Sequence, residues 1–352
     1  MKRVFLILAI TLSMLCLGQP GVDRGVTVEI ATWQGGASGA ASLSFDDGYA
    51  ETYNTVIPIL AEKNINATFN VISVKVGGVY GELGLADLGQ WGKAAENGHE
   101  IGSHMATHVH VDEVSAAELA GELESSKTNI KKNIGRDALS FVYPGGAYDR
   151  GSRDVVANFF LSARTSDDGY NPAVPADMYL LKSKTVAEYN LPHMTGWADE
   201  ASENGLWLIE NLHLVGGENP TGYGFYMSTD DFTDHIDYLD SQGLWIAPQG
   251  VVARYVVERE NSVANLSFPV FRQDSFSITL SNNLDSSVFN VPLTLVVTLP
   301  RGWNAVRVSS RGETLPGRVS KGILYIDAVP NNGRIIVTKH GFISYLAGLV
   351  GF

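Results

Sequence analysis

The chain has 352 residues, of which 45% are hydrophobic and 18% are charged, and its formal net charge is −13. This length exceeds one average domain and suits a large α/β domain followed by a smaller one. The acidic balance makes nucleic acid and anionic polymers poor partners, whereas neutral glycans are not disfavoured.

The N-terminal segment has the pattern of a secretory signal peptide. Lys2 and Arg3 precede an apolar run over residues 4–17, which is too short to span a bilayer comfortably. We therefore expect residues 1–18 to be a signal peptide, and the mature protein to be secreted, periplasmic or held at the cell surface. Cleavage would remove Cys16, the only cysteine of the sequence, so no disulfide is expected.

Residues 41–48 read Ala-Ser-Leu-Ser-Phe-Asp-Asp-Gly. The alternating apolar side chains predict a β-strand that ends at Asp46 and Asp47, and Gly48 allows a sharp turn after it. In α/β barrels the carboxyl ends of the strands carry the functional sites. Adjacent carboxylates are costly without a positive partner, and a metal ion is the natural one. The alternative is an ordinary surface turn.

A pair of histidines further along the chain strengthens the metal hypothesis. Residues 98–108 read Gly-His-Glu-Ile-Gly-Ser-His-Met-Ala-Thr-His. The spacing of i, i+4 brings His104 and His108 to one face if the segment makes a helical turn. Two imidazoles and one carboxylate form a set that leaves coordination positions open for chemistry. His99 and His110 have no partner at matching spacing, so we interpret them as packed or solvent-facing residues.

Predicted strands and helices alternate through the first two thirds of the chain. The long helix over residues 115–134 begins with a capping box of Ser115 and Glu118. A strand over residues 206–212 ends just before His213. This alternation predicts βαβ units and a parallel sheet or barrel.

These motifs together resemble those of a known family. Three segments look like motifs of the polysaccharide deacetylase family, carbohydrate esterase family 4, of the chitooligosaccharide deacetylase-like kind. They are residues 44–48, Ser-Phe-Asp-Asp-Gly, residues 67–69, Ala-Thr-Phe, and the histidine stretch of residues 98–108. The resemblance runs from about residue 41 to about residue 255. It implies an α/β fold with a distorted (β/α) barrel, which we place over residues 22–259.

The resemblance also implies a division of labour between the two carboxylates. Asp47, His104 and His108 would hold Zn²⁺ or another divalent metal ion, which polarises the acetyl carbonyl and holds the attacking water. Asp46 would take the proton of that water. His213 resembles the histidine of the family's last motif, which is the general acid. The alternative for His213 is a histidine buried in the core.

The third motif of this chain departs from the family. In family members this motif commonly has an Arg before its Pro and a Tyr after that Pro. Here apolar residues and a Tyr precede Pro144, and Gly145 follows it. We expect the Gly145 N–H to be an oxyanion donor, and Tyr143, Pro144 and Gly146 to contact substrate. Arg164, on the next predicted strand, would project into the vacant place of the missing Arg. The alternative is a surface Arg paired with a neighbouring Asp.

From about residue 261 short β runs alternate with turn clusters. This pattern predicts a small all-β, sandwich-like accessory domain over residues 261–340, without any cluster of residues that resembles a site. Residues 341–352 form an apolar tail that is too short to cross a membrane, so no transmembrane span is expected in the mature chain.

The sequence therefore predicts a secreted, metal-dependent hydrolase of carbon–nitrogen bonds that removes N-acetyl groups from a glycan containing N-acetylglucosamine. Two alternatives remain at this stage. A 2-His-1-carboxylate iron oxygenase uses the same ligand set, although those ligands usually lie on a double-stranded β-barrel. A glycan-binding protein with a catalytically weakened deacetylase-like barrel is consistent with the altered third motif. The sequence does not indicate the glycan, the choice between N- and O-acetyl groups, or the oligomeric state.

Overall fold

The computed structural model of the protein describes residues 25–219 and 221–340. The predicted signal peptide (1–18) and the apolar tail (341–352) lie outside the described residues. Among the described residues no helix has both the length and the apolar character needed to cross a membrane.

The elements are numbered in chain order. The helices are α1 (Ala50–Glu62), α2 (Leu88–Glu96), α3 (Ala116–Ile134), α4 (Arg150–Val156), α5 (Met194–Asn204), α6 (Thr229–Ser241) and α7 (Gln249–Asn261). The strands up to α7 are β1 (Thr27–Ile30), β2 (Ala40–Phe45), β3 (Thr68–Val71), β4 (Val79–Tyr80), β5 (Leu83–Gly84), β6 (Glu100–Ser103), β7 (Ser140–Val142), β8 (Ser162–Asp168), β9 (Leu181–Thr185), β10 (Trp207–Leu212), β11 (Leu214–Gly216), β12 (Tyr226–Ser228) and β13 (Trp245–Ile246). The strands after α7 are β14 (Val263–Ser267), β15 (Ser275–Ser281), β16 (Leu293–Thr298), β17 (Val306–Ser310), β18 (Glu313–Thr314), β19 (Arg318–Ser320), β20 (Ile323–Ala328) and β21 (Arg334–Lys339).

Parallel strands close into a barrel in the order β2, β3, β6, β7, β8, β9, β10, and β10 pairs back onto β2. The short strand β13 adds beside the start of β2. Helices connect most of the strands, as parallel pairing requires. The predicted α/β fold with a distorted (β/α) barrel is therefore confirmed.

Both faces of the barrel wall are buried, as expected for a parallel sheet covered by helices. On β2 the apolar residues Leu43 and Phe45 belong to the core cluster shared with the helices. The intervening Ser42 and Ser44 are fully buried on the other face, where their hydroxyls are hydrogen-bonded. The barrel interior is thus polar along the strand that ends at Asp46.

The ends of helix α3 follow the sequence signals. The Ser115 hydroxyl accepts a hydrogen bond from the Glu118 N–H, and the Glu118 carboxylate reaches back to the Ser115 N–H, which completes the predicted capping box. The helix ends at Gly135, whose left-handed backbone (φ 77°) is typical of a C-cap. Leu119 and Leu123 on one face are buried in the core.

The C-terminal region consists of two antiparallel sheets that share one apolar core. One sheet has the order β14, β15, β21, β17, β18, and the other has the order β1, β16, β20, β19. The β-rich region that the sequence predicted after the barrel is therefore present.

Strand β1 belongs to this second sheet, since Thr27 to Ile30 pair antiparallel with Leu295 to Thr298. The sequence placed these residues in the barrel, because one β-prone run before the Asp-Asp strand gave no sign of its distant partner. Tyr255 of α7 also packs in the C-terminal core. The division of the chain into domains stays a prediction, with β1 on the C-terminal side.

Candidate active site

The candidate residues meet at the carboxyl ends of the barrel strands. Asp46 and Asp47 follow β2, His104 and His108 follow β6, and His213 follows β10. All five side chains line one cleft. Because parallel strands end at the same edge of the barrel, residues that are far apart in the sequence converge here.

Asp47, His104 and His108 form a compact group of potential metal ligands. Asp47 Oδ1 lies 3.6 Å from His104 Nε2 and 3.5 Å from His108 Nε2, and the two Nε2 atoms are 3.1 Å apart. Ligand atoms bound at about 2.0–2.2 Å to a tetrahedral ion lie roughly 3.3–3.6 Å from one another. Asp47 Oδ1 is buried without a hydrogen-bond partner. The residues present therefore fit a divalent metal ion.

The two histidines come together through a loop, and the helical turn suggested by their spacing is wrong. Residues 104–108 form no helix. Instead, Met105 and His108 have left-handed backbones, with φ of 66° and 71°. Asp47 has the same uncommon conformation, with φ of 68°. Non-glycine residues in this region cluster at functional sites, where the surrounding structure holds them.

The other ring nitrogen of each histidine is hydrogen-bonded. His104 Nδ1 lies 3.1 Å from the Val142 carbonyl oxygen, so it must donate, and His104 Nε2 is left as a lone pair. His108 Nδ1 lies 3.0 Å from the Tyr80 hydroxyl. Burial lowers the pKa of both rings, that of His108 to about 4, so both are neutral near pH 7.

Asp46 is held by several donors inside the barrel mouth. The Arg164 Nη2 lies 2.6 Å from Oδ1 and 2.7 Å from Oδ2, and Asn70 Nδ2 donates to Oδ1 at 3.0 Å. With its amide oriented to suit its neighbours, Asn211 donates to Oδ2 at 3.0 Å. Burial alone would raise the pKa of Asp46, but the charges of Arg164, His104 and His213 and the Arg164 hydrogen bond together outweigh burial, so the pKa lies below its usual value. Asp46 is therefore ionised at neutral pH.

Arg164 is fully buried, and it projects into the barrel mouth. Val142 of β7 is in register with Arg164 of β8, so the guanidinium comes from the strand next to the third motif. Its Nε also donates to the Ser44 hydroxyl at 3.2 Å. The alternative interpretation, a surface Arg paired with a nearby Asp, is wrong for the described structure.

His213 stands beside Asp46 at the edge of the cleft. Its Nε2 is 4.0 Å from Asp46 Oδ2, and its side chain is 15% exposed. The Phe225 ring lies 5.1 Å away, at 30° to the imidazole. Burial lowers the pKa of His213, although the charge of Asp46 opposes this effect. His213 therefore lines the cleft and is not enclosed in the core.

The third motif contributes unevenly to the cleft. Tyr143 and Gly145 line it, whereas Pro144 is buried and neither Pro144 nor Gly146 is among the described lining residues. Gly145 has φ of 63°, and a Cβ there would lie 2.7 Å from the His110 ring. The assigned roles of these four residues stay predictions.

Some residues of the cleft were not predicted from the sequence. The polar side chains of Asn70 and Asn211 hold Asp46, and the hydroxyl of Tyr80 contacts His108. Asn70 and Asn211 interrupt apolar strands just before the strands end, which is the signal that would have found them. Tyr80 lies on the hairpin β4–β5, which carries no such signal. Tyr223 and Phe225 complete the wall of the cleft.

The model of the polysaccharide deacetylase family matches residues 35–163. The resemblance to this family is confirmed. The matched segment of the chain includes Asp46 and all three residues of the candidate metal group, while Arg164 and His213 lie beyond it.

Individual proteins are more distantly similar to the chain. A gellan lyase of a Bacillus species is 25% identical over 340 residues, which cover 88% of this chain and 13% of that protein. The uncharacterized protein YlxY of Bacillus subtilis is 26% identical over 107 residues, 30% of this chain and 31% of that protein. The chain thus spans less than a third of these curated relatives. The Xyl-CE4 domain of a multidomain xylanase from the hindgut metagenome of Trinervitermes trinervoides is 18% identical, covers 61% of this chain and 89% of that domain, and has a TM-score of 0.43.

Proposed function

We propose that the protein is a secreted, metal-dependent polysaccharide deacetylase that hydrolyses N-acetyl groups of a glycan containing N-acetylglucosamine. The observation that carries this proposal is the pairing, in one cleft, of a three-ligand group with a separate, Arg-bound carboxylate. Secretion is supported by the pattern of the N-terminal residues, and an acetylated glycan by the family match to residues 35–163.

Asp47, His104 and His108 would hold Zn²⁺ or another divalent ion. Two imidazole nitrogens and one carboxylate oxygen are ligands that suit Zn²⁺ and leave a coordination position for water or substrate. When bound, such an ion polarises a carbonyl group and lowers the pKa of a bound water.

Asp46 is the proposed general base. Its carboxylate is ionised, and Arg164 Nη2, which contacts both oxygens, fixes the orientation of the carboxylate. Asn70 donates to one oxygen and Asn211 to the other, so the carboxylate does not need to reorganise when it accepts the proton of the attacking water. Arg164 acts here as a positioning residue.

His213 is the proposed general acid, since it lines the cleft and its Nε2 lies 4.0 Å from Asp46 Oδ2. An amine leaves poorly as an anion, and His213 would give it a proton. Until Asp46 accepts the proton of the water, its negative charge favours the protonated ring of His213. The Gly145 N–H would donate to the oxygen that becomes negative in the transition state.

The proposal is tested by incubating the protein with a panel of acetylated glycans and measuring acetate release with and without a chelator. We expect release from at least one N-acetylated glycan, its loss with chelator, and its recovery when Zn²⁺ is added back. His108→Ala should lose bound metal and activity together, while the exposed His193→Ala serves as a matched control. Full activity of a metal-free His108→Ala sample would overturn the metal-dependent mechanism.

The alternative of a catalytically weakened, glycan-binding barrel rested on the missing Arg of the third motif. Arg164 approaches Asp46 from strand β8, which neighbours the third motif. A guanidinium therefore lies beside the carboxylate although the motif itself has no Arg. The iron oxygenase alternative expects a double-stranded β-barrel, whereas the ligands here lie on a parallel barrel with helices. We therefore favour the deacetylase.

A further inference from the structure

The hairpin β4–β5 reaches from the Asp-Asp turn to the second histidine. The N–H of Ala86 donates to the Gly48 carbonyl at 3.0 Å, which attaches the base of the hairpin to the residue after Asp47. The N–H of Leu85 donates to the Gly78 carbonyl and closes the hairpin. Its strand β4 delivers Tyr80, whose hydroxyl lies 3.0 Å from His108 Nδ1. One short hairpin thus connects the residue after Asp47 with the ring of His108.

The hydrogen-bond roles of the two histidines are not equivalent. A backbone carbonyl only accepts, so the contact of His104 Nδ1 with Val142 fixes the proton on Nδ1 of that ring. The partner of His108 Nδ1 is a hydroxyl, which both donates and accepts. The tautomer of His108 is therefore free to change without the loss of this hydrogen bond.

The two Nε2 atoms lie 3.1 Å apart, a spacing that suits either a shared proton or a shared ion, and the two cases need different tautomers of His108. In the metal-free protein His104 carries its proton on Nδ1, so His108 Nε2–H would be the donor between the two rings, and the Tyr80 hydroxyl would donate to His108 Nδ1. If both Nε2 atoms held an ion, both would need free lone pairs, so the His108 proton would lie on Nδ1 and the Tyr80 oxygen would accept from it.

We propose that Tyr80 is a positioning residue whose hydroxyl reverses its hydrogen bond with His108, which keeps the ring in place in both tautomers and so allows the metal-free site to accept an ion. This inference rests on the proposed metal site, and it assigns to the hairpin β4–β5 a role in metal binding. The ring of Tyr80 is itself held in place, since Lys75 Nζ lies 4.5 Å from its centre and the His108 ring 4.9 Å away.

The test is a competition between the protein and a colorimetric chelator for Zn²⁺, without any substrate. Tyr80→Phe keeps the ring packing but cannot accept from His108 Nδ1–H, so we expect the Kd for Zn²⁺ to rise by about 10–100-fold. The exposed Tyr189→Phe is the matched control and should bind Zn²⁺ like the wild type.

Imidazole ¹⁵N NMR gives a readout that a merely structural role would not change. In the wild type we expect the His108 proton on Nε2 without Zn²⁺ and on Nδ1 with it, while the His104 proton stays on Nδ1 throughout. If Tyr80→Phe does not fold, these wild-type spectra alone decide. Equal Kd values for wild type and Tyr80→Phe, or an unchanged His108 tautomer, would overturn this inference and leave the proposed function standing. A wild type that takes up no Zn²⁺ would overturn both.

Discussion

The mouth of the barrel and the C-terminal β region use buried side chains in opposite ways. At the barrel mouth Asp46, Asp47, His104 and Arg164 are each at most 4% exposed. Among the described residues from 263 to 340 no ionisable side chain is buried, and the core is built from alternating apolar residues of the two sheets. Burial of charge is costly unless partners compensate it. The barrel mouth therefore carries the energetic cost of buried charge, whereas the C-terminal core does not.

The same backbone conformation also has different uses in the two regions. In the C-terminal region Arg311 and Lys321 have left-handed backbones in two-residue hairpin turns, each followed by a glycine. Such turns prefer this conformation because it matches the twist of the strands. At the barrel mouth Asp47 and His108 adopt it at the cleft, where it aims their side chains toward each other. There the conformation serves the site and not a turn of the sheet.

The largest expected effect concerns His213. His213→Ala should keep the fold and the metal but lower turnover on an N-acetyl substrate by about 10²–10⁴-fold, because a positioned general acid contributes that much to departure of an amine. An ester substrate should lose less, since an alkoxide leaves more easily. The measurement is kcat on matched amide and ester substrates of one sugar. Equal losses on both would reassign His213 to stabilisation of the oxyanion.

Arg164 tests the cost of the buried charge at the barrel mouth. Arg164→Met leaves Asp46 buried without its ionic partner, so we expect the free energy of unfolding to fall by about 3–5 kcal/mol. Urea denaturation of the single and double variants measures this coupling. In the Asp46→Asn background, where residue 46 carries no charge, Arg164→Met should lower the free energy of unfolding by clearly less. An identical cost in both backgrounds would mean that Arg164 stabilises the barrel by packing alone.

Structural features with a local sequence pattern were predictable, whereas contacts between distant parts of the chain were not. The Asp-Asp-Gly strand end, the two histidines and the capping box of α3 are local patterns, and each identified its element. The pairing of β1 with β16 joins residues about 270 positions apart, and an isolated β-prone run does not indicate its partner. The loop that unites His104 and His108 was missed because i, i+4 spacing fits a helical turn equally well.

The support of Asp46 was predictable only in part. The departure of the third motif from the family pattern pointed to Arg164 on the next strand, and the structure places its guanidinium against the carboxylate. Asn70, Asn211 and Tyr80 act through side-chain geometry across the barrel mouth. The interrupted apolar strands mark Asn70 and Asn211 as candidates, but no spacing in the sequence indicates the partner of either side chain or of Tyr80, so these three contacts required the fold.

A pair of core substitutions compares the two regions directly. Leu295→Ala in the C-terminal core should lower the free energy of unfolding by about 2–5 kcal/mol and leave kcat/KM of the folded protein unchanged. Leu43→Ala, equally buried on β2, should cost a similar free energy and also reduce activity, since β2 ends at the two carboxylates. Both are measured by urea denaturation and initial rates well below the transition. A drop in kcat/KM for Leu295→Ala would show that the two regions are functionally coupled.

The smallest expected effect is a pH dependence of stability from His99, on the barrel side but away from the cleft. His99 is 6% exposed, and its Nδ1 accepts the Ala67 N–H at 3.2 Å, so the folded protein holds the ring neutral. Burial lowers the pKa of His99 from 6.5 to about 4. The unfolded chain therefore binds a proton between these pH values while the folded protein does not.

The sign of the effect follows from this difference. The stability contribution is complete above pH 6.5 and is lost as the pH falls toward 4, by up to roughly 3 kcal/mol at about 1.4 kcal/mol per pH unit. Urea denaturation at pH 7 and pH 4.5 measures it as a difference between wild type and His99→Gln, which has no titrating group. The wild type should lose more stability than the variant on acidification, and His193→Gln, at an exposed position, should behave like the wild type. Equal losses in the wild type and His99→Gln would show that the folded and unfolded chains protonate His99 alike, and that burial of this ring carries no electrostatic cost.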